Sequence, residues 1–226
     1  MDSLGLSDVR ERIAQATARS GRRADTVTLV AVSKGRPDEM VAAAYAQGQR
    51  IFGENRQQGL ALRLEGDLPD DISWHFMGPL QSRKARFVSA NAALLHSFDR
   101  LDLIPKWKDS PTPVLIQFNV AGEPQKVGFA PGEAERTLDV LLAEGLDVRG
   151  VMAIPPIADD PEDTRRWFVA LRAIFETYRS ISGRIDTLSM GMTNDFEVAI
   201  EEGATMVRVG RAIFEPHTEP DTKRNG

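Results

Sequence analysis

From Thr26 onward, short runs of β-branched and aliphatic residues alternate with longer segments whose apolar positions recur at helical spacing. The short runs predict strands near residues 27–33, 50–52, 73–77, 94–97, 114–120, 148–153, 187–189 and 206–209, each followed by room for a helix. Eight such units point to a single (β/α)8 TIM barrel, with an open doubly wound sheet as the rival. Before them, Val9, Ile13 and Ala16 share one face of a helix predicted over residues 7–20, with Ser7 as its cap. Pro37 suits the first turn of a helix that carries Met40, Val41 and Ala44. Trp167, Leu171, Ile174 and Tyr178 form an apolar stripe that reads as core packing. No linker rich in Pro, Gly or Ser divides the 226 residues. The expected organisation is therefore an N-terminal helix packing on the barrel (1–25), the barrel itself (26–214) and a polar C-terminal tail (215–226).

Composition narrows the function classes. With 42% hydrophobic and 27% charged residues the chain reads as globular rather than disordered. A net charge of -5 argues against a broad phosphate-backbone footprint, while leaving room for a local basic pocket that takes one small anion. The absence of cysteine removes disulfides, thiolate nucleophiles and sulfur-ligated metals. The first twelve residues include acidic side chains and lack the apolar run of a signal peptide, and no later run reaches membrane-spanning length. The expectation is a cytoplasmic monomer with no nucleic acid or membrane partner and no bound metal.

Three segments carry candidate chemistry. The nearly continuous apolar run 27–33 ends in Lys34, followed by Gly35 and Pro37, so the lysine falls at a barrel mouth. An amine there can condense with an aldehyde if its charge is destabilised; a solvated surface lysine is the plainer reading. In Ser189-Met190-Gly191-Met192-Thr193-Asn194-Asp195-Phe196-Glu197 a strand end leads through a turn to a helix start, where free N–H groups and the Thr193 hydroxyl could receive a phosphate. Asn194 and Glu197 have capping-box spacing, so helix capping alone is an equal reading. The third segment, Met206-Val207-Arg208-Val209-Gly210-Arg211, is an apolar strand interrupted by Arg208 and closed by Gly210. Phosphate handles in barrels use the loops after strands seven and eight, which is where the second and third segments fall. Arg208 either faces a ligand, toward which it can only donate, or makes a structural salt bridge.

Read together, Ala31-Val32-Ser33-Lys34, Phe52-Gly53-Glu54-Asn55, Trp74-His75-Phe76-Met77-Gly78, Leu80-Gln81-Ser82, Gly122-Glu123, Lys126, Gly128-Phe129, Arg149-Gly150-Val151-Met152, Ser189-Met190-Gly191-Met192 and Val207-Arg208-Val209-Gly210 occur in an order that resembles the pyridoxal phosphate homeostasis protein family. The resemblance covers residues 26 to 214 and implies a barrel like the alanine racemase N-terminal domain, with pyridoxal 5′-phosphate held as a Schiff base on Lys34. By the same resemblance Thr193 and the backbone at Gly210 hold the phosphate, Arg208 faces the pyridine nitrogen, and Asn55, His75 and Ser189 line the cofactor. The sequence departs from the usual family pattern at Pro79, Arg83 and Glu215, where histidine, asparagine and glycine are common.

A racemase also needs a second acid or base on the far face of the substrate carbon. Tyr45 and Tyr178 both fall on predicted outer helices, and His75 and His96 read as lining or core residues before acid–base candidates. The implied role is therefore a carrier that buffers the cofactor and delivers it to pyridoxal phosphate-dependent apoenzymes. A weakly active amino-acid racemase or lyase is the alternative, and a sugar-phosphate isomerase the third reading. Lys126, in the loop after the fifth strand, is an unassigned amine read by default as a surface residue.

Overall fold

A parallel strand covered on both faces is mostly apolar, and β4 (Leu94–Phe98) and β5 (Val114–Phe118) are buried at every position. Together with β1 (Thr28–Val32), β2 (Ile51–Glu54), β3 (Ser73–Phe76), β6 (Val148–Ala153), β7 (Thr187–Ser189) and β8 (Met206–Val209), they close into one barrel in sequence order. All eight pairings are parallel, and the β1–β8 seam sets Val30 beside Arg208 and Ala31 beside Val209. These relations come from a computed structural model, which describes residues 5–215. The predicted 216–226 stretch of the tail lies outside the described residues, as do residues 1–4.

The helices are α1 (Leu6–Arg19), α2 (Asp38–Ala46), α3 (Gln57–Glu65), α4 (Ala85–Asn91), α5 (Ile104–Trp107), α6 (Ala134–Ala143), α7 (Arg165–Ile181), α8 (Phe196–Glu201) and α9 (Arg211–Phe214). Successive strand residues point to opposite faces, so each strand divides its side chains between two cores. Ala31, Leu95, Ile116, Val151 and Val207 belong to the large shell between sheet and helices. Their neighbours Val30, Leu94, Leu115, Met152 and Met206 form a separate cluster inside the barrel. The α7 stripe joins the shell as the helical spacing predicts: Leu171, Ile174 and Tyr178 are buried, and Trp167 packs against them from a half-buried position.

Helix α1 buries Leu6, Val9, Ile13 and Ala16 and is tied to α8 by Arg12, which pairs with Glu197 at 2.8 Å and lies over the Phe196 ring, and by Arg19, which pairs with Glu201. Arg165 at the start of α7 adds Glu162, Glu201 and Glu202 to the same network. Two local expectations need correcting. Gly5, not Ser7, holds the cap position of α1, because Leu6 already belongs to the apolar face. Pro37 sits at the cap of α2 rather than in its first turn, with its carbonyl accepting from Met40 N–H. Strands β6, β7 and β8 match their predicted spans, whereas β5 stops at Phe118 because Asn119 turns its N–H to the Phe129 carbonyl.

No helix among the described residues is long and apolar enough to cross a membrane.

Candidate functional site

Strand β1 ends at Val32, and the chain then folds into a tight turn in which Arg36 N–H donates to Ser33 O at 3.0 Å. Gly35 takes φ 70°, a conformation other residues adopt at a cost, and this lifts Lys34 to the rim as an exposed side chain. Lys34 lines a cavity of about 300 Å³, at the lower end of ligand-sized pockets. Thr193 and Asp195 from the loop after β7, Arg208 from β8 and Gly210 just beyond it line the same cavity. Pro155, Pro156 and Ile157 from the loop after β6 complete its wall. Four of the seven residues singled out from the sequence, Lys34, Thr193, Arg208 and Gly210, thus meet in one place.

Backbone crowding explains the glycines there. A Cβ on Gly210 would come within 3.1 Å of the Val32 carbonyl and 3.3 Å of the Val32 Cβ, a tight fit that would push the chain after β8 a few tenths of an ångström from β1. Gly191, at φ 89°, lets the loop after β7 fold onto α8; a Cβ would stand 2.6 Å from that of Ala199. The predicted capping box of Asn194 and Glu197 does not form. Asp195 holds the cap position without a side-chain bond into the helix; its carboxylate accepts instead from Met192 N–H in the preceding loop, at 2.7 Å. Asn194 instead accepts from Arg211, and Glu197 is drawn away to Arg12. Burial pushes the Asp195 carboxyl up, against the Met192 N–H and Arg208, which hold it down.

Arg208 and Ser189 continue inward as a hydrogen-bond chain through the barrel. Arg208 is buried and donates to Ser189 Oγ at 2.7 Å and to the Ala153 carbonyl at 3.0 Å. Ser189 Oγ lies 3.0 Å from His96 Nδ1, and His96 Nε2 lies 2.9 Å from His75 Nδ1. Arg208 can only donate, so Ser189 accepts from it and is free to pass its own proton to His96 Nδ1. The donations then run Arg208 to Ser189 to His96 to His75. Burial lowers the Arg208 pKa to about 10, which leaves it charged at neutral pH. Burial lowers His75 to about 4 and, with the nearby charge of Arg208, holds His96 well below its usual range, so both rings are neutral. His75 and Ser189 therefore sit beneath the cavity rather than in its lining. Asn55, after β2, lines a second cavity of about 840 Å³ on the other side of the Lys34 turn, which Lys34 and Arg36 also border.

Several residues here were given no role in the site by the sequence reading. Ile157 is 95% exposed although apolar and borders the first cavity; its only signal was an aliphatic residue after Pro155-Pro156. Glu54 and Arg63 form a buried ion pair under the Lys34 turn, signalled only by a carboxylate inside an otherwise apolar strand. Glu215, one of the departures from the family pattern, pairs with Arg36 at 2.6 Å, tying the segment after α9 to the turn after β1. Lys126 is paired with Glu123 within its loop. Chemically, the first cavity gathers an amine, a hydroxyl, backbone donors and a fixed cation in one lining. That set suits a small aldehyde carrying a phosphate.

The family described as alanine racemase, N-terminal domain, matches residues 5–217. The pyridoxal phosphate homeostasis protein of Aquifex aeolicus is 39% identical over 217 residues, spanning 92% of this chain and 95% of that protein. Among solved structures, PipY of Synechococcus elongatus with pyridoxal phosphate bound superimposes with a TM-score of 0.75 at 32% identity, covering 89% of this chain and 99% of PipY. Alanine racemase of Corynebacterium glutamicum shares the fold, with a TM-score of 0.70 at 15% identity, over 98% of this chain but 65% of that one.

Proposed function

The chain belongs to the pyridoxal phosphate homeostasis protein family, and from that premise we propose that it holds pyridoxal 5′-phosphate on Lys34 and serves as a carrier that buffers the cofactor and delivers it to apoenzymes. The observation that carries this reading is the single cavity shared by Lys34, Thr193, Arg208 and Gly210. When bound, the cofactor supplies an aldehyde that condenses reversibly with an amine. Lys34 provides that amine at the exposed end of β1. Thr193 and the N–H groups around Gly210 receive the phosphate, in the loops where barrels of this kind hold such groups. Arg208, which can only donate, would meet the ring nitrogen of the bound cofactor, leaving that nitrogen unprotonated and the ring a weak electron sink.

The same surroundings support carriage over turnover. Tyr178 is buried with its hydroxyl donated to Ala134 O, and Tyr45 donates to Asp71 from α2, so neither lines the cavity. His75 and His96 are neutral and committed to each other beneath the site. Among the described residues no tyrosine or histidine stands on the cavity wall, and its one carboxyl group, Asp195, is engaged by Met192 N–H, so the second acid or base that racemisation needs has no free candidate there.

Reconstitution with the cofactor, borohydride reduction and peptide mass mapping tests the proposal. The expected result is a visible absorption band in the unsubstituted protein and a modification on Lys34, both abolished by Lys34→Ala. A colourless protein unlabelled at Lys34 would refute covalent holding. Sustained racemisation or decarboxylation of an amino acid at about 1 s⁻¹ or faster, an ordinary enzymatic rate, would overturn the carrier reading.

A further inference from the structure

Lys34 is exposed, so the position of its amine depends on the backbone of residues 33–36 more than on contacts of its own side chain. That turn is gripped from below. Arg63 of α3 donates one guanidinium nitrogen, Nη2, to both Ser33 O at 2.9 Å and Arg36 O at 2.6 Å, bracketing Lys34. Its Nη1 pairs with Asp38 at the start of α2, and its Nε donates to Glu54 at 3.2 Å. Glu54 Oε1 accepts at the same time from Ser33 Oγ at 2.8 Å. The side chains of Glu54 and Arg63 are only 3% and 8% exposed. A buried ion pair contributes little net stability compared with apolar packing, so its presence here calls for another account.

Gly59 makes room for it. The residue lies in α3, where glycine costs about 1 kcal/mol relative to alanine. A Cβ at that position would stand 2.9 Å from Glu54 Oε2, so the helix gives up propensity where the carboxylate needs space.

We infer that Glu54 and Arg63 are positioning residues for Lys34: they fix the 33–36 turn so that the amine meets an aldehyde whose phosphate is already anchored across the mouth. The inference rests on the cofactor site proposed above. The covalent step is balanced within the pair of reactants, the Lys34 amine adding to the aldehyde carbon with loss of one water as the carbon–nitrogen double bond forms. Anchoring at two points makes the step sensitive to placement, since a displacement of about 1 Å can cost about 100-fold in rate. A small aldehyde without a phosphate has no second anchor and should be indifferent to the turn's position.

The test compares Glu54→Gln and Gly59→Ala with the unsubstituted protein in two reactions read at Lys34 by mass mapping: attachment of pyridoxal 5′-phosphate, fixed by borohydride, and methylation by formaldehyde with cyanoborohydride as the reductant. Gly59→Ala disturbs the carboxylate without removing a charge, so it guards against loss of fold in Glu54→Gln. The expected result is attachment of the phosphorylated aldehyde slowed about 10-fold to 100-fold in both variants, with formaldehyde labelling of Lys34 within about twofold of the unsubstituted protein. Unchanged attachment overturns the inference, and so does an equal loss in both reactions, which would mean damage to the amine rather than to its placement. If the unsubstituted protein itself takes no cofactor at Lys34, the proposed function falls and this inference with it.

Discussion

The inside of the barrel is built in two different ways. One group of side chains is apolar: Val30, Leu94, Leu115, Met152 and Met206 pack on one another and are essentially excluded from water. The other is polar: His75, His96, Ser189 and Arg208 fill the neighbouring space with a hydrogen-bonded chain that ends at the cavity. Both groups come from the same strands, often two residues apart, as with Leu94 and His96 or Met206 and Arg208. A barrel needs only the first group to be stable. The second gives up hydrophobic gain to hold a charged donor in one orientation, which is useful only where something must be recognised.

Truncation in the apolar group should produce the largest loss of stability with the least functional consequence. Leu115→Ala removes a fully buried side chain and is expected to cost about 2–5 kcal/mol by urea unfolding. The surviving folded protein should attach the cofactor as before. A comparable fall in cofactor attachment per folded molecule would erase the distinction between the two groups.

Acid should act on the polar group alone. His75 titrates near 4 in the folded protein and near 6.5 when unfolded, and His96 is displaced in the same direction. Between those values the unfolded chain binds more protons, so stability falls as pH falls. The contribution is complete above pH 6.5 and is lost on the way down to about 4. At about 1.4 kcal/mol per unit, His75 alone accounts for roughly 3 kcal/mol. Urea midpoints at pH 7, 6 and 5 should decline more steeply in the unsubstituted protein than in His75→Gln. Parallel declines would mean that the histidines are not desolvated as described.

The apolar group was far more legible in the sequence than the polar one. Short apolar runs and eight strand–helix units are local patterns, and Val30 or Leu115 needs no partner to be recognised as core. Lys34, Thr193 and Gly210 were also accessible, because strand ends and turn glycines mark the mouth of a barrel. The His96–Ser189 contact joins residues 93 positions apart, and the Arg63–Ser33 contact joins residues 30 apart. No spacing rule connects them. Asn194 and Glu197 show the opposite failure: local spacing suggested a capping box, and the distant Arg12 took Glu197 away.

The smallest expected effect concerns Glu215, which stands where the family commonly has glycine and pairs with Arg36 at the rim. The pair is partly open to solvent, at 27% and 47% exposure, and such pairs contribute about 0–1 kcal/mol. Glu215→Gln should therefore shift the urea midpoint slightly at low salt and not measurably at about 1 M salt, where screening acts within about 3 Å. Because Arg36 also offers its carbonyl to Arg63, the turn keeps its grip from below when the pair is lost. Cofactor attachment at Lys34 should then stay within about twofold, well short of the roughly 100-fold that a 1 Å displacement can cost. A larger slowing would place the hold on Lys34 at the rim of the barrel instead of beneath it.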